Sequence, residues 1–407
     1  MRFLLSLVLA LGVAVPATAA PVLEKVIVLQ RHGVRSPTKP PADLAAYSPT
    51  PFAAWPVAPG ELTPHGATAL TRMGEALRAH YAAMLPRADC RDTGRLFVWA
   101  DNADSRTRQS GDAMAAALAP GCKVAAQFTP AGSDDVLFHP GDAFCPVDAD
   151  EGGKAIAARL PMLLAAERKR YDGARARLQS LLDPSLSQDA CANDSSKKCA
   201  IAADRNEVRK GKLAGTLAEG STLSENFLLE YAQGLPDARV KDTASLAAIM
   251  PLHHLYADLA RRTPLIAAHG ATLIARQIRD ALSPVPAFQG RAPVPADARF
   301  VLLAGHDTNL SNLGGMLGLK WELPGEPDVT APNTALAFEL WQDGKARFVR
   351  IVIWYQTPDQ LRTLSPIAAH PPHVALSLPG CGRSCSLDKA LKALDAPLIQ
   401  ECLKPLP

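Results

Sequence analysis

Three short apolar runs, LEKVIVLQ (23–30), RLFVWA (95–100) and RFVLLA (299–304), each lead straight into a polar cluster and then into a helical pattern. Runs of this length rich in Val, Ile, Phe and Trp read as buried strands. The helix after the first begins near Thr63, a favoured N-cap, with Pro64 at its first position, where proline fits. Its apolar residues Leu70, Met73, Leu77 and Tyr81 recur at helical spacing. A second helix is expected over 107–118 and a third over 309–317. Strand alternating with helix is the pattern of an α/β fold, a mostly parallel central sheet with flanking helices. Two late strands, 335–341 and 346–355, are joined only by a short turn at 342–345 and are therefore expected to be antiparallel.

The middle of the chain reads differently. From 150 to 265 the pattern is helical, broken by a cysteine-bearing insert between Asp183 and Glu207. The expected organisation is a discontinuous α/β domain, 20–149 plus 266–407, interrupted by a mostly helical insert domain over 150–265.

The N-terminus sets the compartment. Arg2, an apolar run from Phe3 to Val15, and small residues up to Ala20 make a secretory signal peptide. Ala17 and Ala19 fill its small-residue positions, so residues 1–19 are expected to be removed. The run is too short to span a bilayer, which needs about 20 apolar residues. Eight cysteines, an even number, agree with export and disulfide bonding. Cys191 with Cys199, and Cys381 with Cys385, would close short polar loops. Zinc would want C-x-x-C pairs or histidines at ligand spacing, and His253-His254 and His370-x-x-His373 lack acidic partners. No metal or other cofactor is expected. A net charge of +3 over 407 residues does not suggest nucleic-acid binding. A soluble, periplasmic or secreted monomer is expected, with no membrane contact after signal cleavage.

Chemistry concentrates after the three strands. RHGVRSP (31–37) places His32 between Arg31 and Arg35 at a strand's carboxyl end, where open α/β sheets bind ligands. Arginine forks match phosphate oxygens, and imidazole is a competent nucleophile. Two guanidiniums beside the imidazole disfavour its protonation. Gly33 is expected to let the backbone approach a ligand. A surface loop with solvated arginines is the bland alternative. DNADSRTR (101–108) puts Arg106 at a strand-to-helix junction, an anion-favouring place, although a solvated helix start fits as well. GHDTNL (305–310) offers His306 as a phosphate donor and Asp307 as a general acid or, more simply, a helix cap.

Together, RHGVRSP and GHDTN resemble the branched histidine acid phosphatases, and HDTNLSNLGG is similar to their periplasmic bacterial phytases. The likeness extends through LTPHG (62–66), SRTR (105–108) and SENFLLEYAQGLP (224–236). It implies a phosphoglycerate mutase-like fold and phosphate monoester hydrolysis through a phosphohistidine on His32. Arg31, Arg35, Arg106 and His306 would bind the phosphoryl group, with Asp307 as proton donor. Thr38, Lys39, Glu225 and His253 match pocket positions. The resemblance also implies the pairs Cys90–Cys122, Cys145–Cys402, Cys191–Cys199 and Cys381–Cys385. Two departures weaken a basic rim: His65 stands in LTPHG where those phytases carry arginine, and LIAAHG (265–270) offers only His269. A small-molecule phosphate ester is the expected partner.

Three other readings compete. A phosphoglycerate mutase-like enzyme shares the R-H-G logic but is typically cytosolic and poor in disulfides. A glucose 1-phosphate phosphatase is a nearer alternative. A non-catalytic phosphate-ester binder should have lost His32 or Asp307, and neither is lost.

Overall fold

The computed structural model describes residues 20–130, 133, 135–141, 144–283, 292–367 and 371–404. The expected signal peptide, 1–19, and His370 lie outside the described residues. The chain opens with β1 (Val22–Arg31), α1 (Pro41–Ala45), α2 (Pro64–His80), β2 (Leu96–Ala100) and α3 (Ser105–Leu118). A helical stretch follows: α4 (Ala149–Ala166), α5 (Arg168–Leu182), the hairpin β3 (Asn206–Arg209) and β4 (Lys212–Gly215), α6 (Thr216–Gln233), α7 (Thr243–Ile249) and α8 (Pro251–Ala260). Then come α9 (Pro264–Leu282), β5 (Phe300–Gly305), α10 (Asp307–Met316), β6 (Ala335–Asp343) and β7 (Ala346–Trp354). The chain closes with α11 (Pro358–Thr363), β8 (His373–Leu376), β9 (Cys385–Ser386) and α12 (Leu387–Asp395).

The main sheet runs β2-β5-β1-β6-β7-β8, with β9 also paired to β7. Its site-bearing part, β2, β5 and β1, is parallel, as expected for strands joined through helices. The hairpin β6–β7 is antiparallel, as its short turn required, and β1 pairs antiparallel with β6. Side chains alternate across the sheet. Ile27, Leu29, Val301 and Leu303 face α9, α10 and α12 through Ile274, Ile278, Leu313 and Leu394. Val26, Val28, Val98 and Leu302 face α2 and α3 through Leu70, Met73, Leu77 and Met114. Covering both faces explains why these strands read as continuous apolar runs.

The helices of the middle stretch bury a cluster of their own, including Tyr171, Leu178, Leu217, Phe227, Leu252 and Leu259, joined by Leu44 and Tyr47 from the first segment. The hairpin β3–β4 within it was not expected from the helical pattern. α9 starts at Pro264, so the boundary expected between 265 and 266 falls inside its first turn. Disulfides join Cys90–Cys122, Cys145–Cys402, Cys191–Cys199 and Cys381–Cys385, the four pairs that the resemblance implied. No helix among the described residues is long and apolar enough to cross a membrane.

Candidate active site

Strand register assembles the site. Arg31 pairs with Gly305, and Ala100 lies opposite Ala304, so β1, β2 and β5 end in one row. The next residues, His32, Asp101 and His306, therefore emerge side by side. The His32 amide donates to the Gly305 carbonyl at 2.9 Å, and the Asp101 amide donates to the Ala304 carbonyl at 2.9 Å. All three side chains are buried.

The loop after β1 is clamped against the start of α2. Thr63 caps α2 by accepting from the Gly66 amide at 2.8 Å, with Pro64 in the first turn. A Cβ on Gly66 would lie 2.2 Å from the Val34 carbonyl oxygen, so this contact requires glycine. Gly33 is closely packed as well. A Cβ there would meet Leu70 Cδ1 at 2.7 Å and Leu62 Cδ1 at 2.9 Å, so its small size serves helix packing.

His32 Nδ1 lies 2.8 Å from the Gly33 carbonyl oxygen. A carbonyl only accepts, so Nδ1 carries the proton and Nε2 of the neutral ring keeps its lone pair. Burial, together with Arg31, His306, Arg35 and Arg106, holds the imidazole well below its usual pKa. The His32 and His306 rings stand edge to face with centroids 5.4 Å apart.

The cations around His32 are fixed by acids. Arg31 is fully buried and donates to Asp328 Oδ2 at 3.1 Å, to the Thr330 carbonyl at 2.5 Å and to Glu225 Oε1. Arg35 donates to Glu225 Oε2 at 3.1 Å. Burial alone would raise the Glu225 carboxyl, but Arg35 and Arg31 bring it down to about 2. Arg106, in the first turn of α3, pairs with Asp104 at 2.5 Å and reaches the Gly60 carbonyl at 3.3 Å.

His306 caps α10 with its backbone, donating its amide to Asn309 Oδ1 at 2.9 Å. Its Nε2 donates to Asp101 Oδ2 at 2.6 Å, and His139 Nε2 lies 2.6 Å from the same oxygen. Burial would raise the Asp101 carboxyl, but hydrogen bonds from His139 and His306 hold it well below the usual range. The bond to Asp101 in turn raises His139. At 2.6 Å each ring donates its Nε2 proton to the same oxygen, so Asp101 accepts from both histidines. The sulfurs that lie near His269 are those of Cys145 and Cys402, which are bonded to each other.

Asp307 opens α10 and is bonded by Arg261 Nη1. Burial would raise its carboxyl, but Arg261, Arg31 and His253 overcome this and hold it well below the usual carboxylate range. His253 is buried; its Nδ1 lies 3.0 Å from Ser221 Oγ and its Nε2 lies 4.0 Å from Asp328 Oδ1. Lys39 is paired with Glu219 at 3.0 Å and with Tyr47 at 3.1 Å, and Thr38 is exposed beside it.

Arg31, His32, Arg35, Arg106, Glu225, His253, His306 and Asp307 thus lie close together, whereas the two substitutes considered for the basic rim do not join them. His65 turns its Nε2 to the Leu361 carbonyl at 2.8 Å, and His269 packs on Cys145. The guanidinium found at the acid is instead Arg261, two residues before Thr263. Sequence reasoning also missed Asp101, His139, Asp328 and Glu219. Only Asp101 carried a signal, as the first residue after β2.

Residues 22–353 match the histidine phosphatase superfamily, branch 2. The chain belongs to this family. Among its relatives is phytase AppA of Escherichia coli (strain K12), 33% identical over 376 residues that cover 88% of this chain and 87% of that one. A glucose-1-phosphatase of Salmonella typhimurium is 26% identical over 390 residues, 90% of each chain. The solved apo form of Hafnia alvei phytase superposes with a TM-score of 0.83 at 32% identity, covering 96% of this chain and all of that one. As a member of this family the chain is a phosphoric monoester hydrolase.

Proposed function

We propose that the protein is an exported acid phosphatase of phytase type that works through a phosphohistidine on His32. The observation that carries the reading is the Nδ1–H bond to the Gly33 carbonyl, which leaves an Nε2 lone pair within a ring of guanidiniums. Nε2 attacks phosphorus, the bond from phosphorus to the ester oxygen breaks, and Asp307 gives its proton to the departing alkoxide. Water then attacks the phosphohistidine, the P–N bond breaks, and Asp307 takes back a proton. Arg31, Arg35, Arg106 and His306 neutralise the phosphoryl oxygens throughout. None of these steps calls for a metal ion.

Phytate is the favoured substrate because the guanidinium of Arg261 stands on Asp307, where a second phosphate of a polyanion could meet it. The middle stretch supplies Glu225, His253 and Arg261, which supports its reading as a separate unit set against the α/β layer. Four disulfides support an oxidising compartment outside the cytosol.

The test is phosphate release from phytate, glucose 1-phosphate and p-nitrophenyl phosphate, compared as kcat/KM at about pH 4.5, near the range where a carboxylic acid donor is protonated. Highest kcat/KM on phytate supports the reading. A clear preference for glucose 1-phosphate would replace it with the sugar-phosphatase alternative.

A further inference from the structure

The Arg261–Asp307 ion pair conflicts with the work assigned to Asp307. A general acid must hold a proton when the alkoxide leaves, yet a guanidinium bonded to its carboxylate keeps it ionised. Charged groups face Asp307 from several elements: Arg31 of β1, Arg106 of α3, Glu225 of α6, His253 of α8 and Arg261 just beyond it. Most of these are held in place. Arg31 is locked by three acceptors, Arg106 by Asp104 and Gly60, and His253 by Ser221. Glu225 is clamped between two arginines.

Arg261 is different. It follows the last turn of α8, its side chain is 19% exposed, and its guanidinium lies 5.9 Å from the centre of the Tyr256 ring. Among the described residues, Asp307 is the one hydrogen-bond acceptor of that guanidinium. An arginine anchored at one point and partly exposed can exchange one anion for another, and a phosphate offers it a matching pair of oxygens.

We propose that Arg261 is a substrate-operated latch on Asp307: a second anionic group of the substrate, other than the phosphoryl under attack, draws the guanidinium away and leaves Asp307 able to take up a proton. The latch rests on the reading of His32 as nucleophile and Asp307 as acid. It makes Arg261 a positioning residue for the acid and a specificity residue for esters carrying more than one phosphate. The proton comes from the acidic medium, and no other reactant is needed. A monophosphate with an alkoxide leaving group has nothing to offer Arg261, so the guanidinium stays on Asp307 and the acid loses its proton at a lower pH.

The experiment compares wild type, Arg261→Gln and Arg261→Lys on phytate and on glycerol 2-phosphate, which has one phosphate and an alkoxide leaving group. In the Gln variant the ratio of kcat/KM for phytate to that for glycerol 2-phosphate should fall about tenfold or more, the worth of one charge-assisted hydrogen bond. Its kcat on glycerol 2-phosphate should hold or rise. The falling limb of that kcat profile should also move to higher pH, because removing a cation lets Asp307 keep its proton longer. The Lys variant should retain most of the wild-type ratio. An unchanged ratio, or equal losses on both esters with the limb unmoved, would overturn the latch. Wild-type enzyme that forms no phosphohistidine on His32 would overturn the underlying reading of the site instead.

Discussion

Arg31 and Asp328 meet at 3.1 Å with both side chains wholly buried. The pair is 297 residues apart in sequence and ties the nucleophile strand to the loop before β6. Such a pair contributes less by its own attraction than it costs when half of it is removed. Asp328→Ala should therefore lower stability by about 3–5 kcal/mol, the usual penalty for stranding a buried charge. Equilibrium unfolding in urea checks this; a loss below about 1 kcal/mol would mean that Glu225 and Thr330 suffice to hold Arg31.

Asp101 fixes His306 through its Nε2–H, much as a carboxylate fixes the tautomer of an imidazole in other hydrolases. Asp101→Asn should lower kcat by up to about 10⁴-fold with an intact fold, the loss seen when the carboxylate that orients a triad histidine becomes an amide. His139→Ala should cost less, since His139 is the more exposed partner of Asp101. Steady-state kinetics with circular dichroism decide between the two, and an unchanged kcat in Asp101→Asn would reduce Asp101 to a structural cap.

Asp307→Asn should hurt poor leaving groups far more than good ones. A general acid contributes about 10²–10⁴-fold when the departing alkoxide is basic. Phytate should suffer most of this loss and p-nitrophenyl phosphate little. Equal losses would leave Asp307 as a helix cap or a positioning group.

Much of the site could be read from the chain because strand ends and helix starts are local events. RHGVRSP and GHDTN follow apolar runs that read as buried strands, and the structure sets His32 and His306 in one row. Partners from distant segments were out of reach. Asp101 meets His306 across 205 residues, and Glu225, named through the resemblance alone, meets Arg31 across 194. Neither periodicity nor turn chemistry carries such information. The pair Cys145–Cys402 was likewise implied by family resemblance alone, as spacing could not choose it. Arg261 escaped notice because ARRTP reads as an ordinary helix end, and only tertiary packing brings it to Asp307.

Activity should peak in the acid range. The His32 pKa is pushed down by burial and neighbouring cations, so the ring stays neutral and nucleophilic well below the pH at which imidazole normally protonates. Asp307 must be protonated, so turnover falls as pH rises through its value in the complex. That value lies above the one in the free site, where Arg261 and Arg31 hold the carboxyl down. A bound phosphate dianion opposes a second negative charge and moves it up. A kcat profile from about pH 2.5 to about 9 should therefore show one maximum on the acid side, bounded by the acid and base forms. A maximum at about pH 8 or above would contradict Asp307 as the acid.

The central claim is the covalent step on His32. Enzyme mixed with phosphorus-32-labelled phytate at acid pH and quenched within milliseconds should carry acid-labile, alkali-stable label. Peptide mapping should place that label on His32 within RHGVRSP, and His32→Ala should take up none. Label on another residue, or turnover retained by His32→Ala without added imidazole, would contradict the account.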